Sequence, residues 1–327
     1  MSDPSSAARG VVAARPAAGG GAATPSFVLP AGAPSGIPAA PASLTIGPSL
    51  FAWGARTFVM GILNVTPDSF SGDGLLASPT AADVRDQADP IAAAVEQAGA
   101  MVAAGADILD IGGESTRPGH AAVDEAEEIA RVVPVITAVR DALPRTAISV
   151  DTTKVAVAAA ALDAGADLVN DVWGIGPDDG LLRLAAGREV PIVLMHNRAE
   201  ARYTNLMAEI LADLERAIER ALAAGVAWGA IIVDPGFGFG KTVAHNLALL
   251  RELPALRILG RPILLGTSRK STLGKVLDLP ADQRLEATLA TTALGIAAGV
   301  DMVRVHDVEP NVRTARMADA IVRAARP

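Results

Sequence analysis

From Phe58 onward, short apolar runs alternate with longer alanine-rich segments whose apolar positions recur at helical spacing. Strands are predicted over 58–63, 107–111, 147–150, 168–169, 192–195, 230–233, 262–265 and 302–305. Helices are predicted near 88–104, 124–142, 154–164, 179–187, 206–225, 243–252, 284–298 and 310–324. Runs this short, each followed by a helical segment, are the mark of parallel strands joined by crossover helices. Ala-Gly-Ala or Ala-Gly-Val recurs at 104–106, 164–166, 224–226 and 298–300, placing a glycine where each helix stops and the next strand begins. Eight repeats of this unit predict an α/β fold of the (β/α)8 kind, a TIM barrel, whose site lies in the loops after the strands' carboxyl ends. A doubly wound open sheet is the competing architecture, and it would gather its site at one switch point.

The rims of the predicted strands support the barrel. Unusual polar residues follow nearly every apolar run: Asn64, the stretch 112–119, Asp151, Asn170 with Asp171, His196, Asp234, the stretch 266–271, and Arg304 with His306. The first ~45 residues are different in kind, being Ala, Gly, Pro and Ser with few large side chains. Such a segment buries too little to offset its ordering entropy and is expected to be a disordered extension. The expected division is therefore a tail over 1–45 and a barrel over 46–327.

Composition narrows the function. The net charge is −8 and the cations are scattered, which argues against a nucleic-acid surface. No apolar run reaches the ~18 residues of a membrane span, so a soluble protein is expected. Cysteine is absent, which removes thiolate chemistry and suits a reducing, cytoplasmic setting. Four histidines in separate loops do not suggest zinc. Any metal is expected to be Mg2+ held with substrate phosphate, an arrangement needing only one or two protein oxygens.

The densest chemistry lies in Asp234-Pro235-Gly236-Phe237-Gly238-Phe239-Gly240-Lys241-Thr242, where a strand delivers a carboxylate into a glycine-rich loop. Pro235 excludes a P-loop, and the glycines are not spaced as in a dinucleotide fingerprint. An acid that accepts hydrogen bonds from a flat donor-bearing ligand fits, with an Asp-Pro-Gly hinge as the plain alternative. Asp151, Asn170 and Asp234 would converge at a barrel mouth, although Asp151 could instead cap a helix. Gly112-Gly113-Glu114-Ser115-Thr116-Arg117-Pro118-Gly119 offers hydroxyls and a guanidinium for an anion. Gly266-Thr267-Ser268-Arg269-Lys270-Ser271 brings two cations into a loop of small residues. Arg304 and His306 share one side of an extended strand. His120 and His245 read as structural; His196 is open. The loop from Asn64 to Gly74 has the look of a lid.

Several ordered motifs together resemble the dihydropteroate synthase family over about 60–308: Met-Gly-Ile-Leu-Asn-Val-Thr-Pro-Asp-Ser-Phe-Ser at 60–71, the stretch 112–119 and Asp-Thr-Thr-Lys at 151–154. Asn-Asp-Val at 170–172, the Asp234 loop, Ser-Arg-Lys-Ser at 268–271 and Arg-Val-His-Asp-Val at 304–308 complete the set. The resemblance implies an alkyl transferase that condenses 7,8-dihydropterin-6-ylmethyl diphosphate with 4-aminobenzoate in folate biosynthesis. It also implies a homodimer, and the aminobenzoate subsite is the one where sulfonamides compete in this family. By carry-over, Asp151, Asn170, Asp234 and Lys270 bind the pterin edge, Arg304 lies against its face, and Ile62, Val172, Met195 and Phe239 wall the pocket. Diphosphate meets Asn64 with Mg2+, Thr116, Arg304 and His306; Phe70, Pro118 and Ser271 frame aminobenzoate, and Arg117 and Gly266 are further substrate-binding candidates. Arg304, His306, Lys270 and Asn64 carry the catalytic expectation. A pterin-binding methyltransferase barrel is the rival, and the cations at 268–271 and 304–306, suited to an anionic leaving group, argue against it.

Overall fold

A computed structural model of the chain describes residues 41–65, 89–114, 123–174 and 176–323. A hairpin comes first, β1 (Leu44–Ile46) paired antiparallel with β2 (Ser49–Phe51). Eight strands follow: β3 (Phe58–Asn64), β4 (Ile108–Gly112), β5 (Ala147–Asp151), β6 (Leu168–Asp171), β7 (Ile192–Met195), β8 (Ile231–Asp234), β9 (Leu264–Leu265) and β10 (Met302–Val305). They form one parallel sheet in the order β8-β7-β6-β5-β4-β3-β10-β9. β9 returns to β8 through a bridge between Val233 and Ile263, with the Val233 N–H donating to the Pro262 carbonyl at 3.0 Å. The sheet therefore closes as the barrel that the eightfold repeat predicts.

Around it run α1 (Pro90–Ala103), α2 (Glu125–Ala142), α3 (Val155–Asp163), α4 (Gly180–Arg188), α5 (Leu206–Ala223), α6 (Val243–Glu252), α7 (Ser271–Leu277), α8 (Leu285–Ala297) and α9 (Val308–Val322). Their starts are chemically marked. Asp89 accepts from the Ile91 N–H ahead of Pro90, Asp124 from Glu127 and Asn205 from Ala208, each satisfying a donor that the first turn leaves unpaired. Thr242 and His245 form a reciprocal capping box on α6. Their ends are marked too: Gly105, Gly165, Gly225 and Gly299, the recurrent glycines, all adopt left-handed backbone, with φ from 96° to 113°.

Three features differ from the expectation. β9 has two residues instead of four, because Pro262 has no N–H to give a ladder and the Ile263 N–H is taken by Asp301 Oδ2 at 3.0 Å. A seven-residue helix, α7, stands between β9 and α8. The hairpin begins at Leu44, just inside the stretch set aside as a tail.

Strand alternation sorts the side chains into two cores. Leu63, Leu109, Ile111, Ile148, Val150, Val169, Ile192, Leu194, Val233, Val303 and Val305 face outward and pack under the helices. The alternate residues face inward: Phe58, Met60, Ile108, Ala147, Leu168, Val193, Ile232, Leu264 and Met302 form a second cluster with Ile46, Phe51 and Trp53. The hairpin thus plugs the barrel from its amino-terminal end. Phe51, Trp53 and Phe58 stack there with ring centroids 4.7–5.5 Å apart.

Candidate active site

Two residues beyond each inward apolar position, the barrel interior changes character. Met60 gives way to Ile62, Ile108 to Asp110, Ala147 to Ser149 and then Asp151, and Leu168 to Asn170. Val193 gives way to Met195, Ile232 to Asp234, Leu264 to Gly266 and Met302 to Arg304. The polar members of this layer other than the partly buried Arg304 are buried, Asp110 and Ser149 with no exposure at all.

They are wired together. Arg304 Nε donates to Asp110 Oδ2 at 2.5 Å, and Arg304 Nη2 donates to Asp151 Oδ2 at 2.6 Å. Asp110 also accepts from Asn170 Nδ2 at 3.1 Å and, through its other oxygen, from Ser149 Oγ at 2.6 Å. The two carboxylates outweigh burial and hold the Arg304 guanidinium above its ordinary pKa. Asp151 Oδ1 is buried without a hydrogen-bond partner, a cost tolerated where a ligand supplies the donor. Burial pushes the Asp151 carboxyl up to about 7 even against the pull of Arg304. The N-terminal residue of α3 is preceded by Lys154, so Asp151 is not a helix cap.

Asp234 ends β8 and folds back on its own loop, accepting from the Gly236 N–H at 2.6 Å. Burial raises its carboxyl to about 6, the Gly236 N–H opposing. Gly236 adopts φ +68°, and a Cβ there would lie 1.8 Å from the His196 carbonyl oxygen, so the turn requires glycine. Asn246 Oδ1 accepts from the Gly238 N–H at 2.8 Å. Phe239, at the turn's end, presents its ring 3.8 Å from Lys270 Nζ.

The two cations of the β9 loop diverge. Arg269 turns away from the interior in left-handed backbone, φ 55°, and forms a bidentate pair with Asp307 at 2.6 and 3.0 Å. Lys270 goes to the Phe239 ring. Ser268 binds His306 twice, its hydroxyl 3.0 Å from Nδ1 and accepting the His306 N–H at 3.1 Å.

Asn170 and Arg304 thus meet at Asp110, Asp151 joins them through Arg304, Asp234 lies in the same inward layer, and Lys270 stands over the Phe239 ring at the end of the Asp234 turn. Ile62, Val172 and Met195 are buried at strand ends. Asn64 ends β3 beside Gly112, half-buried, and Gly266 has space in front of it, with Arg304 Cβ 3.8 Å from where its own Cβ would be. Ser271 opens α7 on the exposed side. Phe70, Thr116, Arg117 and Pro118 lie outside the described residues. Three participants were not expected: Asp110, Ser149 and Lys241. Asp110 was hidden inside an apolar run, yet its parity with Ile108 already pointed it inward. Nor was His196 assigned; it is fully buried, 3.0 Å from Lys241 Nζ and 3.1 Å from Asp213.

The chain has known relatives. Residues 60–306 match the family model described as pterin binding enzyme. The dihydropteroate synthase of Clostridium beijerinckii is 48% identical over 281 residues, covering 86% of this chain and 100% of that protein. A crystal structure of the dihydropteroate synthase of Clostridium difficile in the presence of pteroic acid is 46% identical, with a TM-score of 0.78 over 84% of this chain and 100% of that one. The Xanthomonas albilineans enzyme with 4-aminobenzoic acid is 38% identical, with a TM-score of 0.77, over 86% of this chain and 98% of that one.

Proposed function

The chain belongs to the dihydropteroate synthase family, and we propose that it joins the methylene carbon of 7,8-dihydropterin-6-ylmethyl diphosphate to the amine of 4-aminobenzoate. In that reaction the carbon–oxygen bond breaks with its electrons leaving on diphosphate, the amine lone pair forms the carbon–nitrogen bond, and the amine loses a proton. The observation that carries this reading is the buried polar layer. A flat bicyclic ring with N–H donors along one edge meets Asp234 and the unpartnered oxygen of Asp151, while apolar Ile62, Val172 and Met195 enclose its faces. The relatives bound to pteroic acid and 4-aminobenzoic acid support the two halves of the assignment.

The barrier falls chiefly by stabilising the departing oxyanion with donors already in place. Arg304 is prepared for this by Asp110 and Asp151, which fix its plane before substrate arrives. His306, held through Ser268, stands two residues further along the chain, just past the end of β10. Asn170 binds the ring and braces Asp110. Lys270, over the Phe239 ring, reaches the same edge as Asp234. Asn64, Thr116, Arg117 and Gly266 belong to the diphosphate side, and Phe70, Pro118 and Ser271 to the aminobenzoate side.

Mg2+ fits this chain as an ion that enters with diphosphate. Asn64 offers one amide oxygen at a partly exposed strand end, and among the described residues no three His, Cys, Asp or Glu side chains group as a cage. When bound it neutralises charge on the leaving group.

A homodimer belongs to the same proposal: Met317 and Ile321, one turn apart on α9, and Leu294 on α8 are more than 60% exposed and offer an apolar face. Among the described residues no helix is long and apolar enough to cross a membrane; a cytoplasmic place of work suits the cysteine-free composition. The deciding experiment follows diphosphate release from purified protein with Mg2+ and pterin diphosphate, with and without 4-aminobenzoate. Amine-dependent release is expected, and release indifferent to the amine rejects the assignment.

A further inference from the structure

One partly buried cation has no part in that chemistry. Lys241 follows the glycine turn and folds back on it: Nζ lies 3.0 Å from the Gly236 carbonyl oxygen, 3.1 Å from that of Phe239 and 3.0 Å from His196 Nδ1. An ammonium has three donors and no acceptor, and these three acceptors match it one for one. A neutral amine would leave one of them unmet.

The third acceptor is itself held. Burial keeps the His196 imidazole neutral, its pKa pushed down to about 3. With Nδ1 accepting from the ammonium, the ring proton sits on Nε2 and is donated to Asp213 Oδ2 at 3.1 Å. That carboxylate is fixed by Arg198, whose Nε and Nη2 reach it at 3.0 and 2.7 Å. Burial also lowers Lys241 to about 7, with Asp234 and Asp213 opposing, so the amine carries its third proton for all three acceptors below that pH.

What the ammonium grips matters. Gly236 and Phe239 are the two ends of one tight turn, closed by the Phe239 N–H donating to the Gly236 carbonyl at 3.1 Å. At its near end the Gly236 N–H holds Asp234; at its far end the Phe239 ring faces Lys270. A single cation thus sets the spacing of a carboxylate and an aromatic wall that meet the same ligand.

We propose that Lys241 is a positioning residue for the pterin subsite, holding the turn 236–239 so that Asp234 and Phe239 face the bicyclic ring together, with His196 and Asp213 as its support. This rests on the pterin-binding reading above. It requires that loss of the amine be felt in pterin binding and little in the steps served by Arg304 and His306.

The test replaces Lys241 by Met, by Gln and by Cys. Lys241→Met is expected to raise KM for pterin diphosphate by about tenfold, equivalent to ~1.4 kcal/mol, with kcat within roughly threefold and KM for aminobenzoate unchanged. Lys241→Gln, which keeps two donors without charge, should lie between. The chain has no cysteine, so treating Lys241→Cys with 2-bromoethylamine rebuilds an amine at this position alone and should restore the pterin constant. An unchanged pterin KM, an equal loss in both substrates with a falling melting temperature, or failure of the rebuilt amine to recover binding would each overturn the proposal. Calorimetry with pteroic acid separates two failures. A parent protein that binds none rejects the enzymatic reading and this one with it; a parent that binds no more tightly than Lys241→Gln or Lys241→Met rejects only the role of Lys241.

Discussion

Arg304 is held from below by Asp110, Nε to Oδ2 at 2.5 Å, so the most buried carboxylate of the barrel fixes the cation at its mouth. Asp110 also accepts from Asn170 and Ser149, leaving it no freedom to move. Removing one partner of a buried ion pair costs more than the pair contributes, because the other charge is left uncompensated. Asp110→Ala should therefore lower stability by about 3–5 kcal/mol and weaken pterin binding through a misplaced Asn170. Urea denaturation alongside pteroic acid titration measures both; a stable variant with parental affinity contradicts the finding's importance.

Arg304→Ala and His306→Ala test the leaving-group side. Each removes a preorganised donor, and such losses typically reduce turnover by ~10²–10³. Steady-state assays should place the loss mainly in kcat. Kinetics unaltered in both variants would leave the proposed mechanism without support.

The pH response follows from Asp234. Its folded pKa is about 6 and its ordinary value 3.8, so between those values the folded protein binds the proton more tightly. Stability in the ligand-free state is then lost as pH rises from about 4 to 6, and burying the charged form is the cause. Asp234→Asn removes that slope. Denaturation at pH 5 and pH 8 should show the variant gaining on the parent at the higher pH, while pterin affinity, which needs the ionised carboxylate, falls in the parent as pH drops below 6.

Gly236 gives a backbone test. An alanine must adopt φ +68° and place its Cβ 1.8 Å from the His196 carbonyl oxygen. The left-handed conformation alone costs roughly 1–2 kcal/mol, and the collision forces the turn away from His196. Gly236→Ala is expected to abolish pterin binding at temperatures where circular dichroism still reports a folded barrel.

At the opposite end, Phe51→Ala opens the plug. The side chain is 1% exposed and stacks on Trp53 and Phe58. Large-to-small changes of a buried aromatic cost about 3–5 kcal/mol. Thermal denaturation should show this loss, and the pH below which pterin affinity falls should move down as water reaches the barrel floor.

The barrel was legible because its two periods are clean: alternate apolar runs of four or five residues and helical stretches ended by glycine. The rim residues were legible because they follow those runs. Asp110 and Ser149 were harder to see, since a polar residue inside a run reads as noise until strand parity assigns it to the interior. Adjacent residues also misled. Arg269 and Lys270 look like one pair of cations, but left-handed backbone at Arg269 sends it to Asp307, a partner 38 positions away. Lys241, once Pro235 rules out a phosphate loop, has no role that the sequence assigns, and only the folded turn shows its nitrogen among three acceptors. The hairpin was missed because three-residue strands carry too little pattern, and its value lies in the aromatic cluster it completes.

That hairpin has a chemical reach beyond its size. Ile46, Phe51 and Trp53 seal the shaft beneath the apolar layer on which Asp110, Ser149 and Asn170 rest. Any cut, fusion or ligand that pries them loose lets solvent climb from beneath, and the carboxyls of Asp151 and Asp234, raised by burial, would then revert toward the behaviour of free aspartate. The acidity of the mouth is governed from the floor.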